Sequence, residues 1–161
     1  MADPFLLIAW HSRTRASEAL ARAASEGAGP YGTIMEAHRV QPEHLLEAAG
    51  YLFVCPENLA SMSGAMKEMF DRCYYPVLGK LNGRPYATII AAGSDGEGAQ
   101  KQIDRIATGW RLKRVAEHWI VDTAAQTEEE ILAVKTIGEA DLGRAREMGE
   151  ALGQGLADGI F

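Results

Sequence analysis

The residues best placed for chemistry begin at His11-Ser12-Arg13-Thr14-Arg15-Ala16-Ser17. They follow an apolar run from Phe5 to Trp10 and lead into an alanine-rich segment of helical period, so hydroxyls and guanidinium groups stand where a strand turns into a helix. The first turn of a helix leaves N–H groups without intrahelical partners and carries a partial positive charge of roughly half a unit, which suits an anion. Ser12, Thr14 and Ser17 can add hydroxyls to a phosphate placed there, and Arg13 or Arg15 can add charge. A capped helix start with surface arginines accounts for the same residues, because Ser and Thr are ordinary caps.

Two later stretches have comparable potential. Pro56-Glu57-Asn58-Leu59-Ala60-Ser61-Met62 is a polar loop after an apolar run, and Gly93-Ser94-Asp95-Gly96-Glu97-Gly98 carries three glycines that let a planar ligand or a phosphate approach the main chain. The glycine loop lacks the Lys-Ser/Thr pair of a nucleoside-triphosphate site. The four histidines have no metal-ligand spacing, so no metal is expected. Cys55 and Cys73 lie far apart in apolar surroundings and are read as reduced thiols.

These loops must be positioned by alternating strands and helices. Phe5–Trp10 is apolar throughout and predicts a strand buried on both faces. A helix over 16–26 is stopped at Gly27-Ala28-Gly29-Pro30, Thr33–His38 is a weak second strand, and Pro42–Ala48 is a helical turn. Gly50–Cys55 is the third strand, ended by Pro56. The stripe Met62, Ala65, Met66, Met69, Phe70 and Cys73 predicts a helix, with Tyr74 and Tyr75 able to extend an apolar surface to a second chain. Pro85–Ala92 is the fourth strand, 99–110 a helix and Val115–Val121 the fifth strand. Thr127-Glu128-Glu129-Glu130 has capping-box spacing and opens a short helix. Leu142, Ala145, Met148 or Gly149, Leu152 and Leu156 place a helix at the end.

Five strand–helix repeats with short connections predict an α/β doubly wound parallel sheet with helices on both faces, in one domain over 1–161. Ligands bind such sheets at the carboxyl ends of the strands, where the three loops gather. With 161 residues and 47% hydrophobic content the chain can bury a sizeable core. Its net charge of −6 disfavours nucleic acid and anionic membrane surfaces as partners. There is no signal-peptide pattern and no membrane-length apolar run, so a cytoplasmic protein is expected.

Ser12–Ser17 resembles the phosphate loop of flavodoxin-like proteins, whose pattern is Ser/Thr-x-Thr-Gly-Asn-Thr. Pro56–Gly64, followed by Lys67, Phe70, Asp71 and Arg72, is similar to the Pro-Thr-Tyr-x-Gly-Asn-Met-Ser-Gly…Lys…Phe-Asp-Arg segment of flavodoxin-like NAD(P)H-dependent FMN and quinone reductases, including the tryptophan-repressor-binding-protein type. Leu81–Pro85 and Gly93–Gly98 resemble that family's Leu-x-Gly-Lys-Pro and Gly-Ser/Thr-x-Gly-x-Gly. The resemblance implies a flavodoxin-like five-stranded sheet in the order 2-1-3-4-5, FMN as cofactor, NADH or NADPH as co-substrate, a quinone or similar acceptor, and a homodimer or homotetramer. Ser12, Arg13, Thr14, Arg15, Ala16 and Ser17 would then hold the phosphate. Pro56 to Met62 and Gly93, Ser94, Asp95 and Gly96 would contact the ring and ribityl chain.

Two departures bear on that implication. Arg15-Ala16 stands where the pattern has Gly-Asn, and Glu57-Asn58-Leu59 where it has Thr and an aromatic residue. A carboxylate beside a ring that gains charge on reduction makes reduction harder. Three readings stay open at this point: Glu57 points away, the potential is lowered, or flavin binding is lost. An electron-carrier flavodoxin and a flavin-free interaction module are the alternatives to a reductase.

Overall fold

The first apolar run forms β1 (Leu6–Trp10), with every residue buried. In the computed structural model, which describes residues 3–161, β1 lies between parallel neighbours β2 (Gly32–Glu36) and β3 (Gly50–Asn58). On its other side β3 pairs in parallel with β5 (Pro85–Ala92), from Tyr51 opposite Tyr86 to Pro56 opposite Ala91. The fold is the expected flavodoxin-like one, in the order β2-β1-β3-β5 followed by an outer strand.

Two elements depart from expectation. The outer strand is not the continuous Val115–Val121 segment. It is two short pieces, β6 (Lys113–Arg114) and β7 (Ile120–Asp122), which pair with opposite ends of β5. Between them polar groups occupy the sheet edge. Arg114 turns inward to donate to Thr88 and to Asp104, and Asp104 also accepts from the Tyr86 hydroxyl at 2.8 Å and pairs with His118 at 2.8 Å. Burial pushes the Asp104 carboxyl up, but the hydrogen bonds from Arg114 and Tyr86 outweigh it and hold the group below its ordinary value. An inward charge at an edge also blocks pairing with another chain.

The second departure is that β3 does not stop at Pro56. It continues to Asn58 and folds back as a hairpin into β4 (Ser61–Met62), so the second candidate loop is a strand extension with a tight turn. Proline is tolerated there because its side of β3 lies at the end of the ladder.

Helices cover both faces. Alternate residues of the strands separate the core into two layers, since side chains point to opposite sides of a strand. On one face Tyr51, Phe53 and Cys55 pack with α3 (Gly64–Val77) and α4 (Glu97–Gly109) through Met66, Met69, Phe70 and Ile103. Phe53 meets Phe70 edge-on at 5.0 Å, and Phe70 meets Trp110 at 5.3 Å. On the other face Leu6, Ile8, Leu52 and Ile89 pack with α1 (Ala16–Ala28) and α6 (Glu139–Ala157). Each fully buried large side chain contributes about 1.5–3 kcal/mol relative to exposure. The two remaining helices are short, α2 (Pro42–Glu47) and α5 (Glu128–Leu132). No helix among the described residues is long and apolar enough to cross a membrane.

Several residues that carried the family resemblance are structural. Arg72 donates to the carbonyls of Val40 and Ala37, which pins the turn after β2. Arg84 donates to the carbonyls of Leu45, Leu46 and Ala48 and to the Tyr51 hydroxyl, closing the C-terminal end of α2. Lys67 and Asp71 pair with each other one helical turn apart at an exposed position.

Candidate functional site

The carboxyl ends of β1, β3 and β5 open into one cleft of about 660 Å³. Its first wall is the β1–α1 loop, through Arg13, Thr14 and Ala16. Its second is the β3–β4 hairpin, through Pro56, Glu57, Asn58, Leu59 and Ala60, and its third is the end of β5, through Gly93 and Ser94. The three loops singled out by sequence therefore converge. Ser12, Arg15, Ser17, Ser61, Met62, Asp95 and Gly96, grouped with them from sequence, do not line the cleft.

Five of those seven have defined structural roles. Ser17 is buried in the first turn of α1, and its hydroxyl is a buried side-chain oxygen with no hydrogen-bond partner. Leaving a buried hydroxyl unpaired costs about 1–3 kcal/mol, and a phosphate at the helix N-terminus would satisfy it. Arg15 is the N-cap of α1, with φ 72°, and no side chain caps the helix. That left-handed conformation explains why the resembled pattern has glycine there. An L-residue in it costs roughly 1–2 kcal/mol, so Arg15 keeps the turn at the expense of strain. Ser61 donates to the Gln102 side chain at 2.9 Å, while the Met62 amide donates to the same oxygen at 2.8 Å. The Met62 side chain belongs to the core. The Gly96 amide is taken by Glu57.

The hairpin carries the more unusual backbone. Its two turn residues, Leu59 and Ala60, have φ 52° and 63°, the geometry of a two-residue type I′ turn. Such turns favour Asn-Gly, so Leu-Ala is held there by its surroundings. The Leu59 side chain is 102% exposed at the lip of the cleft. At Gly98 an added Cβ would stand 2.1 Å from the Ala60 carbonyl oxygen, so α4 packs directly on the turn.

Glu57 points its carboxylate into the start of α4, accepting from the amides of Gly96 at 3.0 Å and Ala99 at 3.1 Å. Its negative charge thus sits at the positive end of the helix and caps it from a different loop. The carboxylate is directed away from free solution, yet Glu57 remains part of the wall.

His11 accepts or donates at Nδ1 to the Ser63 hydroxyl at 2.8 Å, tying the first loop to the start of α3. Partial burial and the neighbouring Arg13 lower its pKa, so the ring is neutral at pH 7. Cys55 lies beneath the cleft, wholly buried, and burial pushes its thiol up to about 12. It is a packing residue with no thiolate to offer. Among the described residues no group of three or more His, Cys, Asp or Glu is placed to hold a metal.

Sequence reading missed the fourth wall. Thr123, Ala125, Ile131, Leu132 and Lys135, from the segment after β7, close the cleft on the phosphate-loop side. The Thr127–Glu130 capping box starts α5 as expected, with bonds of 3.0 and 3.1 Å. The Lys135 amide donates to the Thr14 carbonyl at 2.8 Å, and the Gln126 side chain donates to the Gly93 carbonyl at 3.2 Å. Only the capping-box motif signalled this segment, and nothing in it indicated its neighbours.

A parallel sheet of this order with three loops around one cleft defines a flavodoxin-like protein. The chain belongs to the family described as NADPH-dependent FMN reductase, whose model matches residues 36–126, more than half of its length. FMN is the cofactor and NADPH the reductant that this family carries. No curated protein matches the sequence. Among solved structures the chain is similar to a flavodoxin from the domain Archaea, with 14% identity, TM-score 0.74 and coverage of 94% of this chain and 97% of that one. It is also similar to a flavodoxin, WrbA-like protein from Agrobacterium tumefaciens (16% identity, TM-score 0.75, 98% and 99% covered). It covers 36% of the flavodiiron protein from Giardia intestinalis, at 16% identity, TM-score 0.75 and 95% of its own length. At these identities the likeness is one of fold.

The residues present fit FMN. The unpartnered Ser17 hydroxyl and the free amides at the start of α1 suit a phosphate, and the cleft beyond them mixes small residues such as Ala91, Ala92 and Gly93 with the apolar Leu59, Ile131 and Leu132.

Proposed function

We propose that this protein is an FMN-dependent oxidoreductase that takes hydride from NADPH and passes two electrons to a quinone or similar small acceptor. The observation that carries the reading is the convergence of the three loops on one cleft whose helix end holds a buried, unpaired serine hydroxyl. Ser12, Thr14 and Ser17 hold the phosphate, with Arg13 supplying charge. The hairpin 56–60 and the turn at Gly93-Ser94 flank the ring. When bound, FMN would supply the two-electron redox chemistry between NADPH and the acceptor. The chain's task is to orient and to exclude water, so no side chain is assigned as acid or base.

Ile131 and Leu132 support an apolar acceptor, being 53% and 71% exposed on the cleft wall where polar residues would be the ordinary choice. Steady-state NADPH oxidation with a neutral quinone tests the reading. Turnover is expected with FMN present and absent without it. A protein that binds FMN yet oxidises no NADPH is an electron carrier, and one that binds no FMN is an interaction module.

The strained turn yields a separate expectation. Replacing Leu59-Ala60 by Asn-Gly stabilises the fold by about 1–2 kcal/mol, because both residues then suit positive φ. The same change weakens FMN binding roughly tenfold by removing the apolar Leu59 surface from the ring. Thermal denaturation and quenching of FMN fluorescence read the two effects independently, and a variant that gains affinity contradicts the role given to Leu59.

A further inference from the structure

We propose that Glu57 is a positioning residue that lowers the reduction potential of the bound flavin, an inference that rests on the FMN reading above. Its geometry is tightly determined. Oε1 accepts from the Gly96 amide at 3.0 Å and Oε2 from the Ala99 amide at 3.1 Å. Gly96, the N-cap of α4, has no side chain to do this, so Glu57 caps the helix from the β3–β4 hairpin. The Gly98 backbone lies against both the Ala60 carbonyl and Glu57 Oε2, where a Cβ would be 2.1 and 3.2 Å away, so helix and hairpin are locked face to face.

The lock has an electrostatic consequence for the cleft. Hydride brings two electrons and one proton, so the ring gains one net negative charge on reduction. Donors aimed at that charge favour the reduced form. Here two main-chain donors at the start of α4 are consumed by Glu57, a residue of the cleft wall, whose carboxylate is fixed behind that wall. The cationic side chains of the cleft, Arg13 and Lys135, belong to other walls, the phosphate loop and the segment after α5 that is bonded to it, and not to the hairpin. The hairpin side therefore binds oxidised flavin better than reduced flavin, which makes the reduced cofactor a stronger donor to the acceptor.

The experiment measures dissociation constants for oxidised and reduced FMN, and the midpoint potential against a reference dye, for wild type and Glu57→Gln. Wild type is expected to bind oxidised FMN at least tenfold more tightly than reduced FMN, placing the bound potential about 30 mV or more below that of free FMN. In Glu57→Gln the ratio falls about tenfold and the potential rises by about 30 mV. A potential unchanged in the variant, with both affinities weakened equally, shows a purely structural clamp and overturns the proposal. So does a wild-type protein that binds both forms equally or prefers the reduced one, a measurement that stands even if the variant fails to fold. Wild type that binds no FMN at all overturns the parent reading first, and the proposal with it.

Discussion

Gly98→Ala is expected to destabilise the protein by about 2–3 kcal/mol and to lower FMN affinity by at least a hundredfold. The new methyl would stand 2.1 Å from the Ala60 carbonyl oxygen and 2.9 Å from its carbon. Both are backbone atoms of a turn already held at positive φ, so the clash cannot be relieved by rotating a side chain. The hairpin must swing away from α4, which breaks the two Glu57 bonds and widens the wall assigned to the ring. Chemical denaturation and FMN titration measure the two losses. Gly109→Ala, at the other end of the same helix, is the control, because nothing lies within 4 Å of its Cβ position, so stability is expected to rise by at most about 1 kcal/mol and FMN affinity to stay unchanged.

The second large effect lies on the opposite face. Gly149 of α6 meets the Ala24 carbonyl of α1, where a Cβ would be 1.9 Å from the oxygen, and Gly27 of α1 meets the Arg146 carbonyl at the same distance. The two helices thus cross backbone to backbone, each contributing the missing side chain at the other's closest carbonyl. Gly149→Ala or Gly27→Ala alone should cost about 2–3 kcal/mol, read as a lower denaturant midpoint at unchanged slope. The double variant should cost less than the sum, since one separation of the helices relieves both clashes. Strict additivity would show that the two contacts are independent. FMN affinity should change little, because the crossing faces away from the cleft.

The sheet was legible because its strands are apolar on both faces: Phe5–Trp10 and Pro85–Ala92 leave no other reading than buried parallel strands. The stripes of α3 and α6 were equally plain, except that Met62, counted with the first of them, belongs to β4. What sequence reading missed has specific causes. The hairpin at Leu59-Ala60 carries none of the Asn-Gly chemistry that announces a type I′ turn, and Pro56 suggested a strand end where the ladder in fact continues. The outer strand was read through Val115–Val121 because its composition suits a strand. The structure instead turns Arg114 inward to Asp104 and lets the middle of the segment leave the sheet.

The same division holds for the site. Loop positions followed from the order of elements, so the convergence of His11–Ser17, Pro56–Met62 and Gly93–Gly98 at one end of the sheet could be anticipated. Side-chain directions could not. Glu57, left between three readings, directs its carboxylate to α4, a contact across 39 residues that no local pattern encodes. Lys135 and Ile131 reach the cleft because the chain after β7 returns over the phosphate loop, where the Lys135 amide bonds the Thr14 carbonyl.

FMN binding by the purified wild-type protein is the most direct measurement, read as the flavin absorbance of the sample together with its thermal midpoint before and after FMN is added. A yellow protein, or a colourless one whose midpoint rises by roughly 5–10 °C with FMN at a hundred times its dissociation constant, is the expected result, since such occupancy stabilises the fold by about 2.7 kcal/mol. A colourless protein whose midpoint is indifferent to FMN would contradict it.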